Sequence, residues 1–206
     1  VLLSWLLAIL AWTPVGLWIV TKLKAGFADR PVHTFILSTL VGAAINSALL
    51  GILSFWMPIT AHVSLILAIV GGLLCSKSFF EGIIRLGIGI KNWSVLGWIG
   101  FAVFMGIGVL CSLHASLNND SGLYYIQFMK WINSYPVVPG LANLHDRLGF
   151  NSHWHLLNAA FDMKAFGLHA TNDLNGLLFL LIGLGCFDSA SRTAGRKSLY
   201  DGIWTL

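Results

Sequence analysis

The chain has 206 residues, 57% of them hydrophobic and only 10% charged, with a mean hydropathy of +0.80. A water-soluble globule of this size needs more polar surface, so the composition excludes one and makes a lipid bilayer the expected solvent and partner. The formal net charge of +4 does not signal nucleic acid, because Lys and Arg punctuate apolar runs instead of clustering on one face with accessible aromatics.

The expected fold class is all-α: a polytopic membrane helix bundle, one transmembrane domain over residues 1–206, with an extracytoplasmic loop containing short interfacial helices. A spanning helix needs about 20 mainly apolar residues, since hydrocarbon offers no partner to backbone N–H and C=O groups. That window predicts spans near 1–20, 34–56, 59–76, 94–113 and 173–189. The first lacks a basic n-region and a small-x-small cleavage site, so it reads as a span and not a signal peptide. Pro14 is expected to kink it. The chain starts at Val1 and stops at Leu206 just after a charged stretch, as expected of a fragment of a longer protein.

Trp56, Trp93 and Trp98 stand where interfacial aromatics are expected. Residues 78–92, SFFEGIIRLGIGIKN, are too short and too charged to span, and are expected along the cytoplasmic interface, with a re-entrant segment as the alternative. Gly71, Gly72, Gly106 and Gly108 predict close helix packing. Cys75, Cys111 and Cys186 show no CxxC spacing and read as small packing residues.

Loop charges set the expected orientation, because Lys and Arg are retained in the cytoplasm. Lys22, Lys24 and Arg30 follow span one, Lys77, Arg85 and Lys91 follow span three, and Arg192, Arg196 and Lys197 follow span five. The loop after span two has no Lys or Arg, and the long loop after span four balances base against acid. Residue 1 and the 114–172 loop are therefore expected outside.

That loop carries most of the chemistry. Between 114 and 175 lie five of the seven His and four of the eight acids. SGLYYIQFMKWINSY predicts a helix on the membrane surface with Asp120 at its start. Asp120 reads either as an N-cap or as a carboxylate at the mouth of a cavity, and the two are compatible. Pro136 and Pro139-Gly140 force a turn, and LANLHDRLGFN predicts a helical turn ended by Gly149.

Within that turn His145, Asp146 and Arg147 point about 100° apart and cannot converge on one atom by themselves. The Arg147 guanidinium suits phosphate or carboxylate, and the competing reading is a simple pair with Asp146 or Asp120. SHWHLLNAAFDMKAF predicts a further helix ended by Gly167, with His155, Asn158 and Asp162 on one face. His153 and His155 are two apart and diverge, so the HxxxH geometry of zinc helices is absent and no metal is assigned. Asn172-Asp173 are expected to cap the fifth span. No GxSxG, HExxH, P-loop or dinucleotide fingerprint occurs, and no cofactor is indicated.

The stretch NNDSGLYYIQFMKWINSYPVVPGLANLHDRLGFNSHWHLLNAAF, about a fifth of the chain, resembles a family of multi-spanning bacterial membrane proteins, mostly uncharacterised. Its mark is an acid-plus-Tyr segment followed by PVVPGLANLHxRLGFNSxW; this chain has Tyr125 where many relatives carry His. That family is distantly similar to the GT-C glycosyltransferases, which use polyprenyl-phosphate-linked sugars and place an acid in an extracytoplasmic loop. The resemblance implies a glycosyltransferase in the bacterial inner (plasma) membrane, with a polyprenyl-phosphate sugar as partner. It implies that Asp120 occupies the place of that acid and that Arg147 meets the lipid phosphate; on this reading Asp120 is expected to be the catalytic base, with Tyr124, His145 and Asp146 binding substrate beside Arg147. A transporter or flippase and a non-catalytic membrane scaffold are the competing readings. A transporter calls for ionisable groups inside the spans.

Overall fold

The structure, a computed structural model, describes residues 1–91, 93–113, 121–149, 152–167 and 174–193. Among the described residues it is helical and has no strand: α1 (Leu2–Lys22), α2 (Pro31–Leu53), α3 (Ala61–Leu74), α4 (Ser76–Lys91), α5 (Val95–Leu113), α6 (Ile126–Ser134), α7 (His153–Ala160) and α8 (Leu174–Thr193), with short helical turns between α5 and α8. Four of these, α1, α2, α5 and α8, are each long and apolar enough to cross a membrane, and the pair α3–α4 makes a fifth if taken as one span.

The bundle is built on α1 and α2. They lie so close that a Cβ on Gly16 would strike the Ser38 carbonyl, and one on Gly42 the Trp12 carbonyl. Small residues at such a seam let two backbones touch, and dispersion and polar contacts then hold them where apolar solvent gives no hydrophobic drive. The polar contacts are present: Thr13 and Thr39 share a hydroxyl bond of 3.1 Å, and Asn46 donates to the Ala11 carbonyl at 3.3 Å. Pro14 sits buried inside α1, which runs on through it to Lys22.

Glycine is used differently from the sequence expectation. Gly71 and Gly108 do face side chains, Val15 and Leu180/Phe179 respectively, but a Cβ on Gly72 or Gly106 would meet nothing within 4 Å. Periodic glycine marks where packing is permitted, and the partner's position decides where it happens.

The third predicted span is shorter than expected. At 14 residues, or about 21 Å, α3 is less than the roughly 30 Å thickness of a hydrocarbon core. At Cys75 the chain bends by 88° into α4, which places the segment read as interfacial across the end of the bundle. There Gly82 packs on Leu17 of α1, and Gly89 on Pro31 and Val32 of α2. α8 joins α2 through Gly185 and Ile36, and α5 leans on α8 through a stacked Phe104–Phe179 pair 4.0 Å apart. Phe101 and Phe104 also lie against Phe187 of α8, but the outward face of α5 is bare, and Gly108 is its one buried residue.

The described parts of the 114–172 loop, residues 121–149 and 152–167, are more deeply folded than a surface loop. α6 is tied to the α2–α3 connection, Ile59 N–H donating to the Ile132 carbonyl and Val137 N–H to that of Ser54. α7 then packs against α2, α3 and α6, with Leu156, Leu157, Ala159 and Ala160 buried, and Phe161 and Met163 just after it are buried too. Ser4 donates to the Phe161 carbonyl at 3.0 Å, and the Phe161 ring meets Trp12 edge-on at 5.3 Å. The C-terminal half of α7, Leu156–Ala160, is the part that is buried, while His153 at its start stays exposed.

The α1–α2 seam predicts an asymmetric response to substitution. Gly42→Val forces the two backbones apart and is expected to cost at least about 1–3 kcal/mol, whereas Gly72→Ala is expected to be neutral or stabilising by up to about 1 kcal/mol. Thermal unfolding of the purified variants in detergent micelles measures both.

Candidate functional site

Two groups of polar residues lie at opposite ends of the molecule. The first is the predicted one. Asp120, the expected catalytic residue, lies outside the described residues, as do Asn151, Asn172 and Asp173. The chain directly after Asp120 forms a wide turn, Ser121–Tyr125, that runs into α6. The stretch predicted as one helical turn is two short 3-10 turns, Leu141–Asn143 and Asp146–Gly149, entered through Gly140 at φ +79°.

On the second turn Asp146 caps its own helix end, accepting from the Arg147 backbone N–H at 2.8 Å, and its carboxylate lies 3.2 Å from His145 Nδ1. The Asp146 side chain is 92% exposed, so this pair adds little stability. The Arg147 guanidinium lies over the Tyr124 ring, 5.2 Å from its centre. The structure thus brings Tyr124 and Arg147 together and sets His145 and Asp146 beside Arg147, with Tyr124 half-buried and the other three exposed. Trp131 packs on Tyr135 nearby, 5.2 Å between rings.

The face predicted for His155, Asn158 and Asp162 does not form. α7 ends at Ala160, and Asp162 instead caps the next turn, Met163–Phe166, accepting from Lys164 N–H at 3.0 Å. Asn158 is buried, donating to the Trp154 carbonyl and accepting from Leu174 N–H at the start of α8. His153 bonds Ser47 of α2 at 3.0 Å. His155 sits edge-on to Tyr125 and Phe128, 5.1 and 5.2 Å away, with Nδ1 buried and without a hydrogen-bond partner among the described residues. Burial pushes the His155 pKa below its ordinary 6.5, because a charged ring there would lose its water.

The second group was not anticipated. Asp188, in the last turns of α8, is fully buried. Its Oδ1 accepts from Trp93 Nε1 at 3.2 Å, its Oδ2 from Arg192 Nε at 2.8 Å, and His33 Nδ1 lies 3.5 Å from Oδ2. Arg192 reaches on to the Asp29 carbonyl at 3.1 Å, and Ser189 bonds His33 Nε2 at 3.3 Å. One carboxylate thereby ties the starts of α2 and α5 to the end of α8. Trp93 is correspondingly only 7% exposed, and serves as a buried donor instead of the interfacial anchor that the sequence suggests; Trp56, at 73%, keeps an exposed position. The available signal was an acid inside an apolar run with an Arg four residues on, a spacing that places both on one helix face.

Two cavities of about 290 Å³ each open at this same end. One lies between α1, α2 and α4, rimmed by Lys24, Glu81 and Arg85; the other borders Asp188 and Arg192. Among the described residues no cluster of His, Cys, Asp and Glu is arranged to hold a metal ion.

The family described as "Domain of unknown function (DUF8201)" matches residues 1–205. The chain belongs to that family. No curated protein and no solved structure matches it. For this DUF8201 member, then, the site chemistry rests on the geometry above.

Two outcomes follow from that geometry. Asp188→Ala strands the Trp93 N–H and one face of Arg192; because Arg192 still reaches water, the expected loss is about 1–3 kcal/mol, read by thermal unfolding with Trp fluorescence. For His155, the unfolded chain takes up a proton below 6.5 while the folded one resists it. Stability is therefore fullest above that value and falls as pH drops toward the lower folded pKa. A His155→Phe variant is expected to lose less stability than wild type between about pH 7 and pH 5, measured by the same unfolding assay.

Proposed function

We propose that this chain is an integral membrane protein that transfers a sugar from a polyprenyl-phosphate carrier at the non-cytoplasmic face of a bacterial plasma membrane. The observation that supports it best is the Arg147 guanidinium held over Tyr124. That contact joins the turn bearing the cation to the segment that directly follows Asp120 in sequence. A guanidinium beside an aromatic ring has its place fixed by that contact, and its planar fork of donors has the geometry of a phosphate.

In this reading the donor's tail stays among the helices and its phosphate meets Arg147. Asp120 takes the proton of the acceptor hydroxyl as the new glycosidic bond forms, and the carrier phosphate leaves with the electron pair of the broken bond. Charge-assisted bonds from Arg147 strengthen as negative charge grows on that phosphate. His145, poised by Asp146, supplies a further donor, and Tyr124 and Trp131 give the sugar an amphipathic platform.

A transporter reading draws on Asp188, an ionisable residue inside an apolar helix. Its carboxylate already accepts from Trp93 and Arg192 and has His33 beside it, which suits a fixed tie between helices better than a mobile proton or ion site.

The test is transfer from a labelled polyprenyl-phosphate sugar by the full-length protein in membranes. Asp120→Asn is expected to lower the rate by about 100-fold or more, and Arg147→Ala by at least about tenfold, with Lys at 147 restoring only part because it lacks the planar fork. Unchanged transfer by Asp120→Asn eliminates the proposed base.

A further inference from the structure

The cavity between α1, α2 and α4 has no role in the transfer proposed above, and it stands at the other end of the molecule. From Thr34 at its wall to Ser54 beside α6 is twenty residues of chain along α2, or about 30 Å. Its inner wall is apolar, formed by Leu17, Val20 and Phe35, and its rim is ionic, formed by Lys24, Glu81 and Arg85. All three rim side chains belong to exposed residues, and among the described residues neither Lys24 nor Arg85 makes an ion pair.

We propose that this cavity binds an amphiphile with a monoanionic phosphodiester head, a phospholipid headgroup with the first carbons of its chains. Three features of the site carry the assignment. Two cations and one carboxylate leave the rim a single positive charge, which matches one phosphodiester charge. A dianionic phosphate monoester would set its second charge against Glu81. The apolar wall behind the rim gives no partner to a free inorganic ion but does accept methylene groups.

The bend at Cys75 explains how such a site arises. It turns α4 across the bundle end, so that Arg85 and Glu81 of α4 face Lys24 beyond α1 over one opening. Gly82, buried against Leu17, allows α4 to come close enough to form the wall. Arg85 offers a planar fork for two phosphate oxygens, and Lys24 a point charge for the third contact. Glu81 can accept from a headgroup hydroxyl.

The inference rests on the membrane-inserted reading, and its test separates the two. The full chain is purified in detergent and binding is measured by native mass spectrometry against short-chain phosphatidylglycerol, short-chain phosphatidic acid and inorganic phosphate. Phosphatidylglycerol is expected to bind best, and Lys24→Gln/Arg85→Gln to weaken it by at least about tenfold. Lys77→Gln/Lys91→Gln removes the same charge from residues outside the cavity lining and is expected to leave binding within about twofold. Glu81→Gln is expected to raise affinity for phosphatidic acid, a gain that misfolding does not produce. Equal weakening by the Lys77/Lys91 control would overturn the proposal in favour of diffuse surface attraction. Inorganic phosphate binding as tightly as the lipid would overturn it in favour of a free-phosphate site. Failure of the membrane reading shows separately, as a chain that stays in solution without detergent.

Discussion

The contact between the α1 and α2 backbones at Gly16 and Gly42 sets the dimensions of everything else. With no side chain between the two helices, neighbours are added around a narrow, nearly incompressible pair. α3 meets the α1 side through Gly71 and Val15, α8 the α2 side through Gly185 and Ile36, and α4 crosses the end of both. The Thr13–Thr39 bond and the Asn46 amide fix the register of that pair, since each is specific to one alignment of the two helices. In an apolar surround such directional contacts discriminate between alignments better than area burial does.

From that pair follows a polarity along the molecule. One end gathers Lys22, Lys24, Arg85 and Arg192 together with both cavities and the Asp188 tie. The other end carries α6, the 3-10 turns and the Tyr124–Arg147 contact, closed over by α7 packed against Ser4, Trp12 and Ser47. Each end has its own means of rigidity. The cationic end uses one buried carboxylate shared by three helices, which is costly to bury and is held only because donors surround it. The other end uses aromatic packing and a few side chain to backbone bonds. The two ends therefore answer to different perturbations, salt and charge substitution at one and packing changes at the other.

How much of this was legible in the sequence depends on which forces decide each feature. The long helices were legible because a run of twenty apolar residues has few physical alternatives, and α1, α2, α5 and α8 fall within a few residues of the expected windows. The turns at Gly140 and Gly167 were also legible, each glycine taking the positive φ that closes a turn. Features that depend on a distant partner were not. Nothing local to SHWHLLNAAF says that it will be enclosed by three helices, nor that Asp162 will leave its helix to cap the next turn. Trp93 reads as an interfacial residue until Asp188, ninety-five positions away, supplies its acceptor. Gly72 and Gly106 resemble seam residues in sequence, while the seam forms at Gly16 and Gly42, where a Cβ on either would strike the backbone of the facing helix. Among the predicted site residues, the chain pattern gave His145, Asp146 and Arg147 in series on one turn; the Tyr124–Arg147 contact needed the fold.

The proposed insertion puts hydrocarbon between the two ends. It is tested most directly by membrane-impermeant thiol labelling of single cysteines placed at His145 and at Lys77, in a chain whose Cys75, Cys111 and Cys186 are replaced by Ser. In intact cells the account predicts labelling at 145 and none at 77 until the membrane is opened. Equal labelling of both positions from one side would contradict it.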